Sequence, residues 1–163
     1  MDAKGDARGL RARSVTVGYG KDAPILEDLS LDVLQGQLTV IVGPNACGKS
    51  TLLRSLARVL GVRSGVVELD GRALTTMNQK ELARRLGLLA QSSTAPADIL
   101  VEDLVARGRY PHQSILRQWS AEDDEAVAWA MRQAGVEALA RRRVGELSGG
   151  QRQRVWIAMV LAQ

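Results

Sequence analysis

The sequence predicts an α/β fold with an N-terminal antiparallel β region and a helical lobe. Three observations predict it. Short runs that alternate or are rich in Val, Ile and Leu recur through the first half of the chain. A glycine-rich loop sits between one such run and a helix. From about Ser92 the runs thin out and helical spacing takes over. With 163 residues, 45% of them hydrophobic and 25% charged, the chain can bury a real core.

The elements follow in order. "SVTVGYG" (14–20) and "LEDLSLDV" (26–33) alternate polar and apolar residues and predict half-buried strands joined through "GKDAP". "QLTVIVG" (37–43) is denser and β-branched, and predicts a more buried strand. A helix is expected from Lys49 to Leu60, with Leu52, Leu53, Leu56, Val59 and Leu60 on one face and Gly61 as its stop. "GVVELDG" (65–71) predicts a strand that ends in an Asp-Gly turn. "LGLLAQ" (86–91) predicts a short apolar strand after a basic helix. Val101, Leu104 and Val105 share a helical face. Ser120 is expected to cap a helix whose first turn holds Glu122, Asp123, Asp124 and Glu125, and Gly135 to end it. "LSGGQRQRVWIAMVLAQ" (147–163) predicts a final helix apolar enough to be buried on most sides.

Bulk properties narrow the function classes. The longest apolar run, Val155 to Ala162, is far short of the roughly 18 residues of a membrane span. "MDAKGDARGLRAR" has no apolar core, so no signal peptide is expected. Both point to the cytoplasm or to the inner face of a membrane. The one cysteine, Cys47, makes no internal disulfide and no cysteine-based metal site. A net charge of +4 is compatible with anionic ligands and selects none.

The chemistry concentrates in "GPNACGKST", which is Gly43, Pro44, Asn45, Ala46, Cys47, Gly48, Lys49, Ser50 and Thr51. It matches G-x-x-x-x-G-K-[ST] and sits after the buried strand expected at 37–43 and at the start of a helix. Glycines let backbone N–H groups turn inward around phosphate oxygens, and a helix N-terminus adds its positive dipole. Lys49 would reach the β- and γ-phosphates of ATP, and the Ser50 hydroxyl would hold Mg²⁺. The plain alternative is a strand–helix turn with an exposed lysine. In "LSGGQ", Ser148 and Gln151 also have the spacing of an ordinary capping box.

Taken together, the phosphate loop, the lone Gln91 after a strand-like run, the helical lobe and "LSGGQ" resemble the ATP-binding subunits of ABC transporters. The resemblance extends from about Leu10 to Gln163. "ILVEDLVARGRYPHQS" (99–114) and "SGGQRQRVWIAMVLAQ" (148–163) resemble most the ATPases of ferric-siderophore, haem and vitamin B12 importers. The resemblance implies a P-loop NTPase core over about 10–91, a helical lobe over about 92–146, and the signature motif with its helix over 147–163. It implies that Tyr19 stacks on adenine and that residues 43–51 hold the phosphates. Gln91 would touch Mg²⁺ and the attacking water. Ser148, Gly149, Gly150 and Gln151 would form the signature that contacts the ATP of a second, head-to-tail ATPase subunit. The lobe between Gln91 and Gln118 would contact a transmembrane permease, at the cytoplasmic face of the membrane. Ala46 stands where many members have glycine, and little loss is expected there.

In that family the signature helix leads into an Asp-Glu strand and a later His, which fix Mg²⁺, activate water and contact the γ-phosphate. None of the three is present. "VVELD" (66–70) precedes Gln91, and His112, the sole histidine, lies in the lobe. The resemblance therefore implies an N-terminal piece of such an ATPase that lacks the C-terminal part of the core, has little or no turnover alone, and leaves apolar strand edges uncovered. Two other readings are a non-transport ABC ATPase acting on nucleic acid, for which the charge and Arg141, Arg142 and Arg143 are the only support, and a nucleotide-binding chain without turnover. The lead expectation is ATP-driven uptake of an iron–siderophore or related metal chelate, with no nucleic-acid partner.

Overall fold

The computed structural model describes residues 8–91, 93–114 and 119–163. Residues 1–7, Ser92 and the 115–118 portion of the stretch expected to face a permease lie outside the described residues. The chain divides into two compact units, Met1–Asn78 and Gln79–Gln163.

In the first unit β1 (Gly9–Val17), β2 (Leu26–Leu34), β3 (Ser64–Leu69) and β4 (Arg72–Ala73) form one antiparallel sheet in the order β2-β1-β3-β4. The two alternating runs pair as a hairpin, with Gly9 opposite Leu34 and Val17 opposite Leu26. The first strand lies earlier than the expected 14–20: it runs from Gly9 to Val17, and residues 18–20 belong to the connection. Ala12, Val15 and Val17 are all fully buried. Strict alternation would put Ala12 and Val15 on opposite faces. A bulge solves this: Ser14 takes a φ of 45° where the register shifts, and the strand turns Val15 back to the core side. Between β3 and β4, Asp70 (φ 49°) and Gly71 (φ 77°) make the tight turn their sequence predicts. The Asp70 carboxylate also accepts from the Gly9 amide at 2.7 Å, which ties the turn to β1.

Helix α1 (Lys49–Leu56) buries Leu52 and Leu56 and packs on β1. It ends earlier than Gly61. Arg58 takes the left-handed conformation (φ 55°), and the amides of Arg58 and Val59 return to the carbonyls of Ser55 (3.0 Å) and Arg54 (2.8 Å). This is the helix stop that glycine usually provides. The Arg58 guanidinium offsets the backbone cost by donating to the carbonyls of Leu74 and Met77, the latter at 2.6 Å. As a result Val59 lies beyond the helix and, with Leu53, is exposed.

Two expected strands do not form. Residues 37–43 show no strand pairing, with Leu38 92% and Val42 84% exposed. Residues 86–91 are likewise unpaired, and Leu88 and Leu89 are partly exposed. β-Branched content favours extended backbone, but a buried strand also needs neighbours for its hydrogen bonds. No strand among the described residues pairs with either run.

The second unit is helical: α2 (Gln79–Ala83), α3 (Val101–Ala106), α4 (Ala121–Gln133) and α5 (Gly149–Ala162), with a 3-10 turn at Arg107–His112. Its core joins Val101, Leu104 and Val105 of α3 to Val127, Ala130 and Met131 of α4 and Val155, Ala158 and Ala162 of α5. Ser120 caps α4 through a box with Asp123, and Gly135 (φ 63°) follows its end, as the sequence predicts. The 3-10 turn presses closely on α5: a Cβ on Gly108 would lie 2.2 Å from the Met159 carbonyl oxygen. Helix α5 is buried on one side and not on most sides. Ile157 and Leu161 remain 37% and 42% exposed, because α3, α4 and the 3-10 turn cover only the face bearing Val155, Ala158 and Ala162.

Candidate functional site

The expected site residues fall into two groups, one in each unit. In the first unit the loop turns through Ala46 (φ 64°) and Gly48 (φ 92°) into the start of α1. Gly48 is disfavoured for a side chain chiefly by its left-handed φ of 92°, and a Cβ there would also press on the side-chain ends of Leu26 and Ile25. Ala46 holds a left-handed conformation that costs an L-residue roughly 1–2 kcal/mol, so its substitution for glycine is not free of strain. Lys49 Nζ is drawn into the loop: it donates to the carbonyls of Gly43 (2.9 Å) and Pro44 and lies 3.7 Å from Cys47 Sγ. The loop therefore gathers a cation, glycine backbone and a helix N-terminus at one place. Such a place suits an oxyanion cluster. Asn45, Cys47 and Ser50 are exposed around it, whereas Thr51 is buried under the helix.

Tyr19 belongs to the same group. Its hydroxyl accepts from Arg54 Nη1 at 3.1 Å. A hydrogen bond with Thr51, and then Arg54, holds its phenol below the ordinary tyrosine range. Thr51 and Arg54 are one turn apart on α1, so the ring is tethered beside the helix that carries Lys49 and Ser50. The ring is still 42% exposed.

In the second unit Gln91 lines an open cleft of about 420 Å³ with Leu89, Ser93, Gly149, Arg152 and Trp156. The cleft brings Gln91 to the first turn of α5. There Ser148 and Gln151 do form the capping box: the Gln151 amide donates to Ser148 Oγ at 3.3 Å, and Gln151 Oε1 accepts from the Ser148 amide at 3.0 Å. A Cβ on Gly149 or Gly150 would meet nothing within 4 Å, so both glycines face open space. Capping and an outward anion contact are compatible, because the first amides of a helix have no partner within it.

The sequence reading missed three arginines. Arg54 and Arg63 both hold Tyr19, the latter through the backbone. Arg109, nearly buried, donates from Nε to Asp123 Oδ1 at 2.8 Å and from Nη1 to the Ala162 carbonyl at 2.8 Å. Asp123 is only 1% exposed; it forms a buried ion pair in addition to its place in the helix dipole. Burial would raise its carboxyl, but Arg109 and the Ser120 hydroxyl and amide outweigh that and hold it below the usual carboxylate range. The S-x-x-D spacing signals the cap. Nothing in spacing signals a partner 14 residues away.

Among the described residues no three His, Cys, Asp or Glu converge on a metal position. No helix among them is long and apolar enough to cross a membrane.

With this geometry in view, the family model for ABC transporters matches residues 26–163. The chain belongs to the ABC transporter family. It is 54% identical over 154 residues to the ferric enterobactin transport ATP-binding protein of Escherichia coli, covering 94% of this chain and 56% of that one. Identity to the iron(3+)-hydroxamate import ATP-binding protein of Bacillus subtilis is 42% over 154 residues, with 94% and 57% covered. A solved metal-chelate type ABC transporter, captured facing inward, superposes with a TM-score of 0.76 at 27% identity, covering 95% of this chain and 57% of that one. A nucleotide-free ATP-binding cassette superposes with a TM-score of 0.78 at 27% identity, with 94% and 64% covered. The chain thus spans little more than half the length of the curated relatives it matches. These likenesses identify the ABC ATPase fold in a chain whose own paired sheet is antiparallel.

Proposed function

We propose that this chain is the nucleotide-binding portion of an ABC importer's ATP-binding subunit, serving uptake of an iron–siderophore or related metal chelate. The observation that carries the reading is the loop of residues 43–51, with Lys49 Nζ gathered among its carbonyls and Tyr19 tethered to the following helix. MgATP would seat with its phosphates on the amides of residues 45–51, its Mg²⁺ on the Ser50 hydroxyl, and its adenine on the exposed Tyr19 ring. Lys49 would exchange its loop carbonyls for phosphate oxygens, which are better partners for an ammonium ion. Gln91 would sense the metal and the attacking water. Ser148, Gly149 and Gly150 would present a hydroxyl and bare helix amides to the ATP of a second, head-to-tail subunit. A permease would engage the lobe between Gln91 and Gln118, and the assembly would then lie at the cytoplasmic face of the membrane. The cargo assignment rests on the relatives, whose names specify enterobactin and hydroxamate transport.

Calorimetry tests the nucleotide seat. Lys49→Ala is expected to weaken MgATP binding about ten- to a hundredfold, the loss of a charge-assisted contact of about 1.5–3 kcal/mol. Equal affinities for the two proteins would remove the loop from the site.

A further inference from the structure

The connection between β1 and β2, residues 18–25, carries Tyr19 just past the end of β1 and is long for a hairpin. Its base is closed by the Ile25 amide, which donates to the Val17 carbonyl at 2.7 Å. Within it the Asp22 amide returns to the Tyr19 carbonyl at 3.3 Å. A side chain from outside the hairpin also holds this connection. Arg63, just before β3, donates from Nη2 to the carbonyl oxygens of both Tyr19 and Gly20, each at 3.1 Å. Its own amide donates to the Thr16 carbonyl at 2.8 Å, so the root of this side chain is fixed to β1. Gly18 makes the space: a Cβ there would lie 2.6 Å from Arg63 Nη2. At the other end of the same tyrosine, Arg54 Nη1 donates to the hydroxyl. Backbone and ring tip are thus held from two different elements.

We propose that Arg63 and Arg54 are positioning residues that preset Tyr19 for stacking on the nucleotide base, with Arg63 clamping the backbone and Arg54 the phenol. The inference rests on the reading that Tyr19 stacks on the base. An untethered Tyr19 would have to be ordered when the nucleotide binds, and that entropy would be lost from affinity. The clamp supplies the order beforehand. Neither arginine is needed to hold phosphate in this scheme. Their effect must therefore depend on the base and on Tyr19.

The test compares MgATP with magnesium tripolyphosphate, which has the phosphates and no base, by calorimetry on the chain. Tyr19→Ala should weaken MgATP roughly ten- to a hundredfold, the range of base–aromatic stacking, and leave tripolyphosphate unchanged. Arg63→Ala should weaken MgATP about three- to tenfold, the scale of ordering a side chain and a short segment. It should leave tripolyphosphate within twofold and add nothing in a Tyr19→Ala background. Gly18→Ala, which displaces the guanidinium while keeping the arginine, should show the same selective loss, and Arg63→Lys should recover part of it. Arg63→Ala losses that are equal for both ligands, or that persist without Tyr19, would overturn the inference. So would an unchanged MgATP affinity in Arg63→Ala beside a weakened Tyr19→Ala, with the stacking reading left standing. An unchanged MgATP affinity in Tyr19→Ala would remove the stacking reading and the inference with it.

Discussion

The helical unit and the 37–43 run make opposite use of apolar residues. In the helical unit Val101, Val105 and Val155 are fully buried, because α3, α4 and α5 pack their apolar faces on one another. In the 37–43 run Leu38 and Val42 stand 92% and 84% exposed, although their sequence is at least as strand-like as that of β1. Apolar residues are thus buried where packed helices cover them and exposed where no strand among the described residues pairs with their run. A helix makes its backbone hydrogen bonds within itself and needs neighbours only for one face. A buried strand needs neighbours for its hydrogen bonds and for both faces. The apolar runs at 37–43 and 86–91 are the two places where the comparison can be pressed.

The largest effect should come from the polar centre of the helical unit. Asp123→Asn leaves Arg109 buried beside a neutral amide and is expected to cost about 3–5 kcal/mol in chemical denaturation of the chain. The sign of its pH dependence follows from the depressed carboxyl. Its contribution is complete above the unfolded value near 3.9 and is lost as pH falls through the lower folded value. The wild type should therefore lose stability in acid more steeply than Asp123→Asn. Parallel acid slopes in the two proteins would contradict the ion pair.

Next come paired truncations that pit the two regions against each other. Leu104→Ala, in the closed core, should cost about 2–5 kcal/mol. Leu38→Ala, at an exposed site, should stay within about 0.5 kcal/mol. Equal costs in denaturant titrations would mean that the 37–43 run is buried in solution and that the contrast is wrong. A smaller effect sharpens the view of the loop. Ala46→Gly relieves a left-handed alanine and should raise stability by no more than about 1 kcal/mol. A loss there would show that Ala46 leaves the left-handed region in solution.

Legibility in the sequence followed the range of each interaction. The Asp70–Gly71 turn, the α3 face and the Ser120 cap depend on neighbours a few residues away and could be read. The β1–β2 pairing reaches from Gly9 to Leu34, and only the C-terminal part of β1 was legible. The early stop of α1 was not, because Arg58 adopts a conformation usually left to glycine and is compensated by carbonyls of Leu74 and Met77. The clamp of Arg63 on Tyr19 spans 44 residues, and that of Arg109 on Ala162 spans 53. Long flexible cations carry no periodic signal that names such partners. The phosphate loop was legible for a different reason: its function depends on backbone shape, and glycine spacing reports backbone shape directly. The bulge at Ser14 was not legible, although it decides which residues of β1 enter the core.

The central claim is that residues 43–51 seat the nucleotide, and Cys47 offers its most direct test. It is the chain's sole cysteine and is free and exposed inside the loop, 3.7 Å from Lys49 Nζ. The rate of its alkylation can be followed by mass spectrometry with and without saturating MgATP. Bound phosphates would cover the loop, so MgATP is expected to slow labelling of the wild type severalfold, and alkylated protein is expected to have lost MgATP binding. In Lys49→Ala the same MgATP concentration should protect far less. A labelling rate indifferent to MgATP, with alkylated protein still binding it, would place the nucleotide elsewhere and contradict the account.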